Sequence, residues 1–264
     1  VVIGAETESQ QQRVAELYRS LNAEMVLTDP ATAELIKYVC NAYLATRLSF
    51  INDVAELCEG VGGDATDVMR AMGLDKRIGP HFLQPGPGWG GSCFPKDTSA
   101  LARIGQEHAV PQTIVEAVIR VNDAVKLRMI EKLRDLCNDS FNGKTVAVLG
   151  VTFKPNTDDM RDAPSLTIIP ALVDGGAKVR VVDPQGKCEG EALLLNVSWH
   201  DDPYAAVQGA DLLVILTEWN EFRGLDLSQL AQNMAHPRMA DLRNVYSAED
   251  ARDAGFTAYI GVGC

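Results

Sequence analysis

Residues 145–150 read Thr-Val-Ala-Val-Leu-Gly, an uninterrupted apolar run that ends in glycine and predicts a buried β-strand. Similar apolar runs follow at 178–182 (Lys-Val-Arg-Val-Val), 212–216 (Leu-Leu-Val-Ile-Leu), 239–242 and 257–260. The stretches between them have helical patterns, at 165–174, 203–207, 227–234 and 248–254. Because strands that alternate with helices form parallel sheets, residues 143–264 are expected to fold as an α/β domain with a doubly wound sheet.

The residues before this domain have mostly helical patterns. Asp29 suits a helix N-cap and Pro30 the first helical position, and helical spacing of apolar residues then continues to residue 59. At 1.5 Å per residue, this segment predicts a helix about 45 Å long. A helix of that length usually packs along a partner, so we expect a homodimer or a higher homo-oligomer formed through residues 30–59. Shorter helices are expected at 64–72, 97–107 and 110–137.

The first 27 residues have a different pattern, with strands expected at 1–5 and 25–27 and a helix at 8–21. A strand without neighbours leaves its backbone hydrogen bonds unmade. We therefore expect the chain to begin partway through a longer protein, near the end of another domain. The expected organisation is the tail of that domain at 1–27, a central helical domain at 28–142 and the α/β domain at 143–264.

Composition excludes several classes of function. The 264 residues carry a net charge of −12, which argues against a nucleic-acid partner, although a few local cations are enough to bind one small anionic ligand. The six cysteines form no C-x-x-C pair and no zinc-type cluster with histidine, so we expect reduced thiols, no metal site and a cytoplasmic protein. No signal peptide and no apolar run near the ~18–20 residues of a membrane span is present, so no membrane partner is expected.

The loop at 86–97 reads Gly-Pro-Gly-Trp-Gly-Gly-Ser-Cys-Phe-Pro-Lys-Asp. Its four glycines in six residues allow the backbone to approach a ligand closely, and free amides there can hold phosphate or sugar oxygens. Cys93 ends the loop just before a predicted helix, and a thiol beside a helix N-terminus and a lysine is a better nucleophile. Spacing alone leaves two interpretations equally open: an active-site loop, or a structural turn around an inert buried cysteine.

The stretch Gly-Gly-Ser-Cys-Phe-Pro-Lys-Asp at 90–97 resembles the active-site loop of the nucleotide-sugar dehydrogenases, the family of UDP-glucose and GDP-mannose dehydrogenases. Further stretches resemble the family in the same order, at 35–41, at 150–161 and at 217–222 (Thr-Glu-Trp-Asn-Glu-Phe). The resemblance runs from Val1 to about Gly261. It implies a central all-helical dimerisation domain followed by a Rossmann-like UDP-binding domain, with most of the N-terminal NAD-binding domain absent.

The resemblance also implies a reaction. The family oxidises a sugar CH2OH group to a carboxylate and consumes two NAD. Cys93 would capture the intermediate aldehyde, and the resulting thiohemiacetal would be oxidised to a thioester that is hydrolysed. Lys37 and Asn41, one helical turn apart, would stabilise the oxyanion, and Asp97 would position water or tune Lys37. Without the resemblance, Lys37 would be interpreted as a surface lysine and Asn41 as an ordinary polar residue.

The family's binding positions carry over to a strip of the loop and to several cationic side chains. The resemblance implies that Lys96 and Arg161 lie near the cofactor NAD, and that Arg77 reaches the substrate of a neighbouring subunit. Gln84 replaces the lysine or asparagine of many relatives, and Leu242 replaces the glycine that usually precedes the substrate-side arginine. The implied substrate contacts are Phe82, Leu83, Gln84, Pro85, Gly86, Gly90, Lys154, Arg77 and Arg243.

One feature imitates half of an NAD fingerprint, namely the strand that ends at Gly150 together with Asp183 after the next strand. The turn at 150–154 lacks G-x-G-x-x-G, so this domain is expected to bind UDP, and the chain alone is expected to be inactive. The 217–222 stretch and the Arg-Ile-Gly at 77–79 favour UDP-glucose, with UDP-glucuronate as product. Two alternatives remain: the same chemistry on GDP-mannose or a UDP-amino sugar, and a non-catalytic UDP-sugar-binding or dimerisation module.

Overall fold

A computed structural model describes residues 1–264, which begin with a small two-stranded unit. Strand β1 pairs with β2 in parallel, with Val2 opposite Val26. The Thr7 side chain caps α1, and the Gln10 side chain reciprocates by accepting the Thr7 N–H. The unit consists of β1 (Val2–Gly4), α1 (Glu8–Tyr18), a 3-10 turn (Arg19–Leu21) and β2 (Val26–Thr28). Both strands lie within one residue of the expected ones, and α1 with the 3-10 turn spans the expected helix at 8–21.

Four helices follow: α2 (Pro30–Val61), α3 (Ala65–Leu74), α4 (Phe94–Glu107) and α5 (Thr113–Leu136). Helix α2 begins where local chemistry predicts, because the Asp29 carboxylate accepts the N–H of Thr32 at 2.9 Å. It ends at Gly62, whose φ of 73° is the left-handed conformation that glycine adopts readily. Helix α4 begins at Phe94, three residues before the predicted start, since Pro95 is tolerated in a first turn.

The α/β part has one six-stranded parallel sheet in the order β5-β4-β3-β6-β7-β8, which confirms the predicted doubly wound sheet. The strands are β3 (Thr145–Leu149), β4 (Lys178–Val182), β5 (Val197–Trp199), β6 (Leu212–Ile215), β7 (Arg238–Asp241) and β8 (Ala258–Ile260). The helices are α6 (Ser165–Asp174), α7 (Lys187–Leu193), α8 (Pro203–Ala206), α9 (Asn220–Arg223), α10 (Leu227–Asn233) and α11 (Ala248–Asp253). The sequence patterns missed β5, α7 and α9.

One hydrophobic core runs from the helices into the sheet. Met129 and Leu133 of α5 pack with Val146 and Val148 of β3, and all four side chains are fully buried. A second core covers the opposite face of the sheet under α8 to α11. Because α5 belongs to the shared core, the central helices lie against the sheet. None of the helices combines the length with the apolar character needed to cross a bilayer.

Candidate active site

A cavity of about 650 Å³ opens between the central helices and the sheet. Leu48 and Asn52 of α2 line one side together with the glycine-rich loop. The other side comes from segments that follow the carboxyl ends of β3, β6 and β7, the edge at which parallel sheets bind ligands. The lining includes Phe82, Gln84, Gly86, Gly90, Cys93, Lys154, Glu218 and Arg243.

Buried polar side chains of two helices hold the glycine-rich loop. Asn122 of α5 binds both backbone groups of Trp89, accepting from its N–H at 2.8 Å and donating to its carbonyl at 3.0 Å. The Trp89 indole donates to Ser49 at 2.9 Å, and Asn52 accepts the N–H of Gly86 at 2.8 Å. The sequence patterns missed these residues, because a polar residue on a helix gives no sign of the loop it meets in space.

At Gly90 and Gly91, the backbone of the same loop lies in close contact with the α/β part. A Cβ atom at Gly90 would lie 2.2 Å from the carbonyl oxygen of Asp162, so only glycine fits. Gly91 has a φ of 86°, and its N–H donates to the carbonyl of Arg161 at 2.7 Å. The loop therefore joins the two walls of the cavity.

Cys93 lies at the N-cap of α4, and its thiol is exposed in the wall of the cavity. The Sγ atom is 3.6 Å from Oγ of Ser92. Beside it, the ring of Phe94 packs edge-on against Trp89, with centroids 6.0 Å apart. The spacing in the sequence also allowed a structural turn around an inert, buried cysteine. The exposure of Cys93 contradicts the burial that this interpretation assumed.

Asp97 lies one turn into α4 and gathers three donors. Its Oδ2 accepts from Lys37 at 3.1 Å and from Asn41 at 2.5 Å, whereas its Oδ1 accepts from Lys96 at 2.5 Å. Lys37 and Asn41 come from α2, so this cluster joins two helices. None of these four side chains lines the 650 Å³ cavity. The cluster is linked to the cavity wall through the first turn of α4, where the N–H of Asp97 donates to the carbonyl of Cys93 at 2.8 Å.

The electrostatics of the cluster favour a charged carboxylate. Burial alone would raise the pKa of Asp97, whose side chain is only 1% exposed, but hydrogen bonds from Lys96, Lys37 and Asn41 outweigh burial and lower it. The hydrogen bond to Asp97 in turn raises the pKa of Lys96. Asp97 therefore stays ionised at neutral pH, and Lys96 stays protonated.

The opposite wall of the cavity carries two cations and one acid. Arg243 is fixed by the carbonyl of Leu216, which accepts from its Nε at 2.8 Å. Oε2 of Glu218 lies 3.2 Å from the same Nε. This carboxylate oxygen accepts no hydrogen bond, because the Nε–H of Arg243 points at the carbonyl of Leu216. Lys154 lies over the ring of Phe153, with Nζ 5.3 Å from the ring centroid. Lys154 and Arg243 thus supply positive charge to the cavity.

Several residues expected at the site do not line the cavity. Leu83 and Pro85 are buried outside its lining. The Arg77 side chain is 88% exposed and pairs with Asp75 of its own turn. Arg161 pairs with Asp159, so only its backbone supports the loop.

The α/β part does not fit a dinucleotide. The Asp183 carboxylate, which would have to accept ribose hydroxyls, already accepts the N–H groups of Val151 at 2.6 Å and Gly186 at 2.6 Å. Thr152, Gln185 and the Trp219 indole donate to it as well. A Cβ atom at Gly150 would lie 2.5 Å from that of Thr217, so the turn is closed by protein atoms. Asp183 is therefore a structural acceptor.

The sequence matches the central domain of the UDP-glucose/GDP-mannose dehydrogenase family over residues 31–124 and its UDP binding domain over residues 147–248. A UDP-glucose 6-dehydrogenase of Rhizobium meliloti is 46% identical over 268 residues, which cover 100% of this chain and 61% of that protein. The chain thus spans about three fifths of the length of this relative.

Solved structures show the same similarity. A UDP-glucose dehydrogenase from Pyrobaculum islandicum matches with a TM-score of 0.90 and 36% identity, over 99% of this chain and 58% of that one. A UDP-D-ManNAc dehydrogenase from Pyrococcus horikoshii matches with a TM-score of 0.84 and 26% identity, over 99% and 59%.

Proposed function

Because the chain belongs to the UDP-glucose/GDP-mannose dehydrogenase family, we propose that the protein carrying it oxidises UDP-glucose to UDP-glucuronate, with NAD as hydride acceptor. The observation that carries this proposal is the exposed Cys93 thiol in the wall of a cavity with two cations. The similarity to a UDP-glucose 6-dehydrogenase favours UDP-glucose over GDP-mannose or a UDP-amino sugar.

The cavity suits a nucleotide sugar in size and charge. A volume of about 650 Å³ lies within the usual range for small-molecule sites. Lys154 and Arg243 neutralise the diphosphate, and the glycine-rich loop offers backbone to the sugar. Phe82 lines the cavity with its side chain partly exposed, so its ring can cover the flat face of uracil.

Cys93 and the Asp97 cluster divide the chemistry between them. The Cys93 thiolate adds to the aldehyde carbon of the sugar, which forms a C–S bond and leaves an alkoxide on the former carbonyl oxygen. Lys37 and Asn41 each have a further N–H besides the one donated to Asp97, and these stabilise the oxyanion. Asp97 orients both donors and, at the hydrolysis step, the attacking water.

NAD does not fit the α/β part of this chain, since protein atoms close the Gly150 turn and occupy the Asp183 carboxylate. The chain alone is therefore proposed to hold the nucleotide sugar and the nucleophile without supporting turnover. Lys96, three residues after Cys93 on α4, and Arg161, whose carbonyl accepts the N–H of Gly91, remain proposed cofactor neighbours.

A binding experiment tests this assignment. In calorimetry, the chain is expected to bind UDP-glucose and UDP, and to bind UDP-N-acetyl sugars and GDP-mannose more weakly. In an activity assay with NAD, the chain alone is expected to produce no NADH. Lys154→Ala is expected to weaken UDP-glucose binding about tenfold, because a cation–phosphate contact is lost. The control Lys178→Ala changes an exposed lysine at the start of β4 and should leave affinity unchanged. Preference for GDP-mannose, or NADH formation by the chain alone, would contradict the proposal.

The chain is further proposed to dimerise with a second copy through α2. Tyr43, Phe50 and Leu57 recur every seven residues on this helix, and each side chain is more than half exposed. Seven-residue spacing produces one apolar seam along a helix, which a second identical helix can cover. Such a pairing is proposed to carry Arg77 towards the cavity of the partner.

Phe50→Glu is expected to convert the dimer into a monomer, because it places a charge in the seam. Sedimentation velocity on the wild-type chain and the variant measures the change directly. Leu195→Glu is the control, since Leu195 is an exposed apolar residue of the α/β part. A monomeric wild-type chain at micromolar concentration would rule out this mode of assembly.

A further inference from the structure

The short segment 261–263, which follows β8, leaves the sheet and inserts between helices of the central part. The carbonyl of Gly263 accepts the N–H of Ala65 at 2.9 Å, and the N–H of Gly263 donates to Glu59 at 2.6 Å. Lys132 of α5 donates to the carbonyl of Gly261 at 2.8 Å and to Glu59 at 2.5 Å. The segment is therefore held by α2, α3 and α5 together.

The fit of Gly263 between the helices leaves no space for a side chain. A Cβ atom there would lie 2.4 Å from Cβ of Ala65 and 2.9 Å from Cβ of Ala55. The residue also has a φ of 85°, which glycine alone adopts without cost. Lys132 and Glu59 are 16% and 26% exposed, so their ion pair is shielded from solvent more than a surface pair is.

The other side of the segment is tied to the substrate wall. The side chain of Asn244 binds both backbone groups of Val262, accepting its N–H at 2.9 Å and donating to its carbonyl at 3.0 Å. Asn244 directly follows Arg243, whose guanidinium lines the cavity. The contacts therefore form one path from α2 through the segment to Arg243.

We propose that segment 261–263 is a strap that sets the position of Arg243 relative to the α2 wall of the cavity, and that Lys132, Glu59 and Asn244 are positioning residues for nucleotide-sugar binding. The proposal rests on the nucleotide-sugar function proposed above. Leu48 and Asn52 line the cavity from α2, and Arg243 lines it from the far wall. Loosening the strap lets these walls separate without changing any residue that lines the cavity, so affinity falls because the contacts no longer converge.

Gly263→Ala tests the strap, with Gly209→Ala as a matched control. Gly209 has a similar φ of 67° but no atom within 4 Å of its Cβ position, so the control reproduces the backbone strain without the collision. Calorimetry on the chain is expected to show UDP-glucose affinity about tenfold weaker for Gly263→Ala and unchanged for Gly209→Ala. Adding Ala65→Gly to Gly263→Ala removes the nearest collision and is expected to restore part of the affinity.

Equal affinity in the Gly263→Ala and Gly209→Ala variants would overturn the strap, as would a loss that Ala65→Gly does not relieve. If Gly263→Ala fails to fold, Lys132→Met tests the strap instead, because it removes the hydrogen bond to the Gly261 carbonyl and the ion pair with Glu59. That variant is expected to weaken UDP-glucose binding about threefold, and unchanged affinity would overturn the proposal.

Small-angle scattering separates failure of the strap from failure of the proposed function. If the wild-type chain does not bind UDP-glucose, the proposed function is wrong. The strap is then tested by comparing the radii of gyration of the two glycine variants. A larger radius for Gly263→Ala than for Gly209→Ala supports the strap, and equal radii overturn it.

Discussion

Cys93→Ala in the protein that carries this chain is expected to abolish formation of UDP-glucuronate and leave UDP-glucose affinity nearly unchanged. The variant removes one exposed sulfur atom and keeps the backbone that begins α4, whereas in the proposed reaction the second oxidation needs that sulfur to carry the acyl group. Cys93→Ser is expected to lower turnover by several orders of magnitude, because the hydroxyl stays protonated at neutral pH. Its ester is less electrophilic than a thioester, so a covalent adduct is expected to accumulate.

The measurement combines the rate of NADH formation, chromatography of the product and the intact mass of the protein. Cys188→Ala is the matched control, since Cys188 is also exposed but lies on α7 outside the cavity. It is expected to retain normal turnover. Normal UDP-glucuronate formation by Cys93→Ala would show that the nucleophile is assigned wrongly and that the loop only binds. A wild-type protein that binds UDP-glucose without any turnover would favour the non-catalytic module.

Gly90→Ala is expected to cost about 3 kcal/mol of the free energy of unfolding, at the upper end of the usual range for overpacking. The added Cβ would lie 2.2 Å from the Asp162 carbonyl oxygen, and backbone on both sides of the contact cannot rotate away as a side chain can. The loop must therefore lift from the α/β part, which separates the two walls of the cavity. UDP-glucose binding is expected to fall below detection in calorimetry.

Gly224→Ala is the control for Gly90→Ala. Gly224 has a φ of −99° and no atom within 4 Å of its Cβ position, so its variant should remain within about 0.5 kcal/mol of wild type. Urea denaturation measures the stability of both variants, and calorimetry measures their affinity. Wild-type stability and affinity in Gly90→Ala would mean that the loop does not depend on its contact with residue 162.

The elements that the sequence predicted are those defined by interactions within a few residues. The run at 145–150 became the central strand β3, and Asp29 with Pro30 marked the start of α2 correctly. Strand β5 was missed because it has only three residues and the middle one, Ser198, is polar and exposed, whereas the equally short edge strand β8 reads Ala-Tyr-Ile. An edge strand of this kind has no apolar run to distinguish it from a loop.

The candidate site divides in the same way. Resemblance to known motifs singled out Cys93, Lys37, Asn41 and Asp97, and the spacing of Lys37 and Asn41 indicated that both lie on one face of a helix. Both side chains donate to the same oxygen of Asp97, although Asp97 lies 60 residues after Lys37 and 56 residues after Asn41 in the chain. No local pattern indicates it, because it depends on how α2 and α4 pack.

The sequence by itself determined the helical and α/β parts, the parallel sheet and the loop that carries the thiol, since capping, apolar periodicity and glycine turns act over a single turn or strand. Only the tertiary structure decided that Asp183 is occupied by the chain's own N–H donors, that Asn52 and Asn122 hold the loop, and that Gly90 abuts residue 162. These contacts join elements far apart in the chain. They form when burial of the shared core brings α5 against the sheet, so their geometry follows from packing and not from any local pattern.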